Sequence, residues 1–130
     1  MALGLKDLVQ QARQAATEIS PEEAQQAIVH GALVLDVREP REFLERRVAG
    51  AKNIPRGLLE LKAAADSPVN DPELAGHPEE HVVVYCTKSP SARSLFAAQT
   101  LATLGYTNVR VLDGGLNAWG DAGLPTEEGT

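Results

Sequence analysis

Apolar residues along this chain form short runs that are separated by polar and helix-like segments. Three runs predict strands, at residues 32–37, 82–86 and 109–112. The first two are nearly continuous rather than alternating, which is typical of strands in a parallel sheet that is covered on both faces. A shorter fourth strand is predicted at Asn53 and Ile54.

Helical patterns surround these runs. The N-terminal segment carries apolar residues at helical spacing, which are Leu5, Leu8, Val9 and Ala12. Ser20, Pro21 and Glu23 have the arrangement of N-cap, first helical residue and capping box, and Gly31 is placed to end that helix.

A third apolar stripe precedes the last strand and ends at Gly105. Its members are Ala97, Ala98, Leu101 and Leu104. A helix between two strands is the crossover unit of parallel sheets.

These elements predict one domain of the α/β class, an open parallel sheet with helices on both faces. Residues 1–18 are expected to form an amphipathic N-terminal helix that packs on the body of the domain, residues 19–130. The segment 67–80 contains three prolines. We expect it to be a mobile loop with at most one helical turn, near Glu73 and Leu74.

The composition matters mainly through the classes of protein that it excludes. The chain has 130 residues, is 43% hydrophobic, carries a formal net charge of -6 and contains a single cysteine, Cys86. One cysteine cannot form an internal disulfide, a cysteine-rich zinc site or an iron–sulfur cluster, and it is typical of a reducing compartment. The negative charge argues against a nucleic acid or an anionic membrane as partner. Because the chain has neither a leader-like start nor an apolar run of about 18 residues, we expect a cytoplasmic protein.

The candidate chemistry follows two of the predicted strands. Ligands of open α/β sheets bind beyond the carboxyl ends of the strands. Asp36 and Arg38 occupy that place after the first strand, and a polar loop that begins at Cys86 occupies it after the second. Backbone N–H groups and the positive end of a helix dipole favour the thiolate of Cys86 there, and the cations Lys88 and Arg93 strengthen that effect. The sequence therefore predicts a nucleophilic cysteine in an anion-binding loop.

Two further features are expected to be structural. Asp113, Gly114 and Gly115 precede a helical stretch and have the composition of a turn and a helix cap. Trp119 is expected to lie in the core. The three histidines of the chain are scattered without the spacing of metal ligands.

Five segments occur along the chain in the order ISPEEAQQAI, LVLDVREPREF, GAKNIPRG, VVVYC and RSLFAAQTLATLGYTNVRVLDGGLNAW. Together they resemble the rhodanese-like domain family, and the resemblance covers the chain from about Ile19 to Pro125. It implies a parallel α/β sheet with helices on both sides, which makes residues 19–130 a rhodanese-like domain. Catalytic members of this family carry a sulfane sulfur on the cysteine that matches Cys86.

The resemblance implies a sulfurtransferase that stores sulfur as a Cys86 persulfide. The donor would be thiosulfate or a persulfide, and the acceptor a thiol or cyanide. Asp36 and Arg38 are expected to support the floor of the site, with a structural ion pair as the alternative. No metal or organic cofactor is expected, and the protein is expected to be a monomer or a homodimer. The residues expected to bind the anionic substrate are Thr87, Lys88, Ser89, Ser91, Ala92 and Arg93.

The loop also departs from the family pattern. Six residues separate Cys86 from Arg93, which is longer than the spacing in the sulfurtransferases of the family and in their phosphatase relatives. The extra length either admits a larger anion or disrupts the ring of N–H donors, from which Pro90 removes one. An alternative alignment places Ser91 at the usual arginine position. Two rival functions therefore stay open: a phosphatase or arsenate reductase that uses Cys86 and Arg93, and a module that binds a partner or senses redox state without catalysis.

Overall fold

The structure of the protein is a computed structural model that describes residues 2–130. The strands of its main sheet are β1 (Glu18–Ile19), β2 (Leu33–Asp36), β4 (Lys52–Asn53), β5 (Val82–Tyr85) and β6 (Val109–Leu112). They are all parallel and lie in the order β1-β6-β5-β2-β4. A second sheet pairs β3 (Arg47–Val48) with β7 (Thr126–Glu127) in antiparallel orientation.

Helices cover both faces of the main sheet, which confirms the predicted fold class. The helices are α1 (Leu5–Ala15), α2 (Pro21–Val29), α3 (Pro40–Glu45), α4 (Leu59–Ala63), α5 (Pro72–Ala75), α6 (Ala92–Thr103) and α7 (Gly115–Asp121). Buried residues of α1, α4, α5 and α6 share one apolar cluster, whereas those of α2 and α7 belong to the other. No helix within the described residues is long and apolar enough to cross a membrane.

The central strand β5 shows how the two apolar clusters are divided. Val82 and Val84 face the cluster that includes α1 and α6, and so does Cys86, which follows the strand. Val83 and Tyr85 face the cluster that includes α2 and α7. This division follows from the alternation of side chains along a strand. All four residues of β5 are buried, which agrees with the continuous apolar run in the sequence.

The second helix forms as its capping residues predict. The Ser20 hydroxyl accepts a hydrogen bond from the Glu23 amide at 3.1 Å, and the Glu23 carboxylate accepts one from the Ser20 amide at 2.9 Å. Pro21 is the first helical residue, and Gly31 takes a left-handed conformation with φ of +98° just beyond the helix. Only glycine adopts that conformation without steric cost.

One strand prediction needs correction, and one strand of the main sheet was not predicted. The fourth strand is β4 (Lys52–Asn53), so Asn53 is confirmed as a strand residue, whereas Ile54 follows the strand and is buried with 3% of its surface exposed. Strand β1 was not predicted because two residues are too short for a periodic pattern, and it crosses the expected boundary between residues 18 and 19. The helical turn near Glu73 is confirmed by α5.

Candidate active site

Cys86 lies immediately after β5, at the carboxyl end of the sheet. Only 3% of its surface is exposed, and it belongs to the apolar cluster beneath α1 and α6. It also lines an open pocket of about 210 Å³. The residues that line this pocket are Cys86, Thr87, Lys88, Ser89, Pro90, Ala92 and Arg93. The sulfur therefore sits at the boundary between the apolar core and a polar loop.

The loop after Cys86 turns directly into α6, a helix of 12 residues. Ser91 is the N-cap and has a left-handed backbone with φ of +65°, a conformation that glycine normally supplies. Its amide donates to the Lys88 carbonyl at 2.9 Å and closes the turn. Within residues 2–130, the amides of Thr87, Lys88, Ser89, Ala92 and Arg93 have no acceptor. These unpaired N–H groups and the positive end of the α6 dipole are the components of an anion site.

Ser94 is the polar side chain that approaches the sulfur. Its hydroxyl oxygen lies 3.4 Å from Cys86 Sγ and donates to the Ser91 carbonyl at 2.9 Å. Ser94 is fully buried on the inner face of α6. Sequence analysis did not single it out. The available signal was a polar residue on the otherwise apolar stripe that continues with Leu95 and Ala98.

Arg93 is held at the pocket rim by a carboxylate that the sequence analysis missed. Its Nη1 donates to Glu42 Oε1 at 2.7 Å and its Nη2 to Glu42 Oε2 at 3.2 Å, while Nη2 also donates to Thr87 Oγ1 at 3.1 Å. The hydrogen bonds from Arg93 hold the pKa of the Glu42 carboxyl at about 2. Lys88 is exposed and has no ion-pair partner in the part of the chain that the structure describes. The loop thus carries one compensated and one uncompensated cation.

The first turn of helix α7 holds the loop through backbone hydrogen bonds. The amides of Leu116 and Asn117 donate to the carbonyls of Cys86 and Thr87, both at 2.9 Å. Gly115 makes this approach possible, because a Cβ atom there would lie 2.5 Å from the Cys86 carbonyl oxygen. The glycines of this segment form the turn and helix cap that the sequence predicts, and they also let α7 approach the backbone of the site.

Asp36 and Arg38 form a buried ion pair on the face of the sheet opposite Cys86. Arg38 Nη2 donates to Asp36 Oδ2 at 2.9 Å, and the Tyr85 hydroxyl donates to the same oxygen at 2.6 Å. Burial, with the Asp36 carboxylate next to it, raises the pKa of Tyr85. The Tyr85 hydroxyl also accepts from the Val48 amide at 3.1 Å, so the cluster links β2, β5 and β3. The two side chains form this ion pair, and neither lines the pocket at Cys86.

The structure brings most of the expected site residues together. Cys86, the residues from Thr87 to Ser89, Ala92 and Arg93 line one pocket. Ser91 does not line it: its hydroxyl is buried and has no hydrogen-bond partner among the described atoms. Within residues 2–130, no group of three His, Cys, Asp or Glu side chains is placed to hold a metal ion.

Comparison of the sequence with known proteins identifies a matching family and several relatives. A family model described as the rhodanese-like domain matches residues 20–122. The thiosulfate sulfurtransferase GlpE of Actinobacillus succinogenes is 37% identical over 112 residues, which cover 85% of this chain and 90% of that protein. An uncharacterized protein of Synechocystis sp. is 37% identical over 109 residues, which cover 83% of this chain and 54% of the relative. This chain thus spans about half the length of the Synechocystis relative.

Among solved structures, a protein from Rhodopseudomonas palustris is similar over nearly the whole chain. The TM-score is 0.87 with 27% sequence identity, and the match covers 98% of this chain and 96% of the other. That protein is described as one of unknown function and as a possible tyrosine phosphatase.

Proposed function

Because this chain belongs to the rhodanese-like domain family, we propose that it is a sulfurtransferase that carries sulfane sulfur on Cys86. The observation that carries the proposal is that Cys86 lines a pocket together with loop residues whose amides are unpaired. Such donors stabilise negative charge that develops beside them. The similarity to a thiosulfate sulfurtransferase supports thiosulfate as the donor.

In the first half-reaction, the Cys86 thiolate attacks the outer sulfur of thiosulfate. A new S–S bond forms to Cys86, the S–S bond of thiosulfate breaks, and sulfite leaves with the electron pair of that bond. The product is a Cys86 persulfide. The unpaired amides and the exposed cation of Lys88 attract the dianionic donor and stabilise the persulfide anion.

In the second half-reaction, a thiophilic acceptor attacks the outer sulfur of the persulfide. With cyanide as acceptor, the S–S bond of the persulfide breaks, thiocyanate forms and Cys86 returns as the thiolate. A thiol acceptor would leave as a persulfide in the same way. The two half-reactions balance without an external oxidant or reductant, and they predict ping-pong kinetics.

The decisive experiment is intact-mass measurement of the protein after incubation with thiosulfate. We expect the mass of one added sulfur atom, its removal by cyanide with release of thiocyanate, and no gain of mass in Cys86→Ala. The variant Cys86→Ser serves as a second control that retains a hydroxyl nucleophile. A wild-type protein that gains no sulfur from thiosulfate or from a persulfide donor would contradict the proposal.

A second candidate function is that of a phosphatase or arsenate reductase. The long loop and the similarity to a possible tyrosine phosphatase favour it. In that chemistry Cys86 attacks the phosphorus or arsenic atom and Arg93 binds the equatorial oxygens, and a general acid must protonate the leaving group. Glu42 is the carboxylate that contacts the loop, but with a pKa of about 2 it holds no proton to donate near neutral pH. The low pKa of Glu42 and the lack of Asp or Glu among residues 87–92 favour sulfur transfer over phosphoryl transfer.

Hydrolysis of an aryl phosphate distinguishes the two chemistries. We expect no hydrolysis above the level of Cys86→Ser. Hydrolysis that Cys86→Ser abolishes, without sulfur uptake, would establish the second function. If neither sulfur uptake nor hydrolysis is observed, the third hypothesis, a binding or redox-sensing module without catalysis, is favoured over both enzymes.

A further inference from the structure

One side chain of the N-terminal helix makes a hydrogen bond to the Cys86 loop. Arg13 of α1 donates from Nη2 to the carbonyl oxygen of Pro90 at 2.9 Å, across 77 positions of sequence. Its Nε donates to Glu18 Oε2 at 3.2 Å. Pro90 is one of the residues that line the pocket above Cys86. Arg13 therefore connects the loop of the candidate site to the start of the domain.

Both ends of this connection are anchored. Val9 and Ala12 of α1 are buried in the same apolar cluster as Cys86, which fixes the helix on the domain. Glu18 belongs to β1 and lies opposite Val111 of β6 in the parallel register. Arg13 thus extends from a packed helix and is oriented by a strand of the main sheet. The helix α1 precedes residues 20–122, which are the part matched by the family model.

The hydrogen bond from Arg13 orients one peptide unit of the loop. The Pro90 carbonyl and the Ser91 amide belong to the same planar group, so a fixed carbonyl also fixes the direction of the N–H. That N–H donates to the Lys88 carbonyl at 2.9 Å. The Ser91 carbonyl then accepts from Ser94, whose hydroxyl lies 3.4 Å from the sulfur. The chain of contacts runs from Arg13 to the polar group beside Cys86.

The loop needs such a support because its own sequence does not favour its conformation. The segment from Thr87 to Ala92 contains no glycine, although Ser91 has φ of +65°. A residue other than glycine in this region is strained and persists only where its surroundings hold it.

We propose that Arg13 is a positioning residue for the chemistry of Cys86. By holding the Pro90 carbonyl, it keeps the loop in the conformation that presents its unpaired amides to an anion. This inference rests on the proposed sulfur transfer as far as activity is concerned. Its structural part, the ordering of the loop by a side chain of α1, is measured separately, by hydrogen exchange of the Ser91 amide.

The test compares Arg13→Ala and Arg13→Lys with wild type and with the control Lys6→Ala. Lys6 lies on the same helix and is exposed, so its loss removes an equal charge from α1 without removing a contact to the loop. We would measure the rate constant of sulfur loading at saturating thiosulfate by mass spectrometry. We would also measure hydrogen exchange of the Ser91 amide by NMR, and the thermal midpoint of each variant.

We expect Arg13→Ala to load sulfur about tenfold more slowly and to exchange the Ser91 amide about tenfold faster, as is typical for the loss of one hydrogen bond from a charged donor. Arg13→Lys keeps the charge but places its donors on a single nitrogen, so it is expected to recover part of both effects. The thermal midpoint of Arg13→Ala should fall below that of Lys6→Ala, because the ion pair with Glu18 is lost as well, so loading and exchange are compared at a temperature where every variant is folded. A merely structural Arg13 would lower the midpoint without changing the loading rate of the folded protein.

The two proposals fail in distinguishable ways. If wild type gains no sulfur from any donor, the proposed function is wrong, and the exchange of the Ser91 amide alone decides whether Arg13 orders the loop. If Arg13→Ala matches Lys6→Ala in both loading and exchange while wild type is active, sulfur transfer stands and the role of Arg13 is refuted. Unchanged exchange with slower loading would also refute it, because the proposed cause is the position of the loop.

Discussion

Replacement of Gly115 by alanine tests whether α7 sets the position of the Cys86 loop. The added Cβ would lie 2.5 Å from the Cys86 carbonyl oxygen and 2.8 Å from the Thr87 carbonyl carbon. Both are backbone atoms, so no flexible side chain can move aside. Either the loop or the first turn of α7 must shift by several tenths of an ångström, and the hydrogen bonds between them must lengthen.

Gly123→Ala is the matched control for this variant. Gly123 has φ of +74° and Gly115 has φ of +58°, but a Cβ at Gly123 would meet no atom within 4 Å. Both substitutions incur the left-handed backbone cost of roughly 1–2 kcal/mol. They also share the loss of entropy in the unfolded chain, which opposes that cost by about 0.4–1 kcal/mol. Only Gly115→Ala adds steric overlap, which typically costs about 1–3 kcal/mol in a packed site.

We therefore expect Gly115→Ala to lower the free energy of unfolding by about 2–4 kcal/mol and Gly123→Ala by about 1 kcal/mol. Urea denaturation followed by circular dichroism measures both. Where both variants are folded, sulfur loading of Cys86 should fall roughly tenfold to a hundredfold in Gly115→Ala, since small displacements of reacting groups have effects of that order. Equal stabilities and equal loading rates for the two variants would refute the role of α7 as the support of the loop.

Three further variants examine other contacts of the site. Glu42→Gln removes the ion pair with Arg93. The pKa of Glu42 is about 2 in the folded protein, below its ordinary value of 4.5. The stabilisation of the folded state by this ion pair is therefore complete above pH 4.5 and is lost as the pH falls toward 2. After allowance for solvent screening we expect wild type to exceed the variant by about 1 kcal/mol at pH 6 and to lose that advantage near pH 2, as measured by urea denaturation; a gap that does not change with pH would contradict this. Tyr85→Phe leaves the buried Val48 amide without its acceptor and should cost about 1–3 kcal/mol in unfolding free energy, while sulfur loading per folded molecule stays unchanged; a loss of loading would place this cluster in the reaction. Ser94→Ala removes the hydroxyl beside the reactive sulfur and should slow loading about tenfold by mass spectrometry, whereas wild-type loading would show that the hydroxyl only fills space.

The main strands could be predicted from the sequence because their signal is local. A continuous apolar run indicates a strand that is buried on both faces, and β6 has the predicted bounds of residues 109–112. The sequence resemblance to the rhodanese-like family is likewise confirmed. The pair β3 and β7 could not be predicted in this way. Each has two residues, and Arg47 meets Glu127 only after the rest of the chain has folded.

The candidate site shows the same division between local and long-range information. The loop after Cys86 was visible because a strand, a polar loop and a helix follow one another in sequence. Glu42 was not, because its ion pair with Arg93 spans 51 positions and depends on where α3 packs. The alternation of side chains along the strands would have indicated that Asp36 lies on the face of the sheet opposite Cys86. In the parallel register it lies beside Tyr85, whose side chain faces away from the side chain of the next residue, Cys86.

The single tryptophan of the chain gives the protein a built-in spectroscopic reporter. Trp119 is 2% exposed, and its indole N–H donates to the Pro125 carbonyl at 2.7 Å. It lies one helical turn beyond Leu116, whose amide contacts the Cys86 carbonyl. Its fluorescence therefore arises from one defined environment, with no second indole to obscure it. Changes in its emission or in its quenching by acrylamide would follow, in real time and without a label, how α7 responds when the neighbouring sulfur is modified.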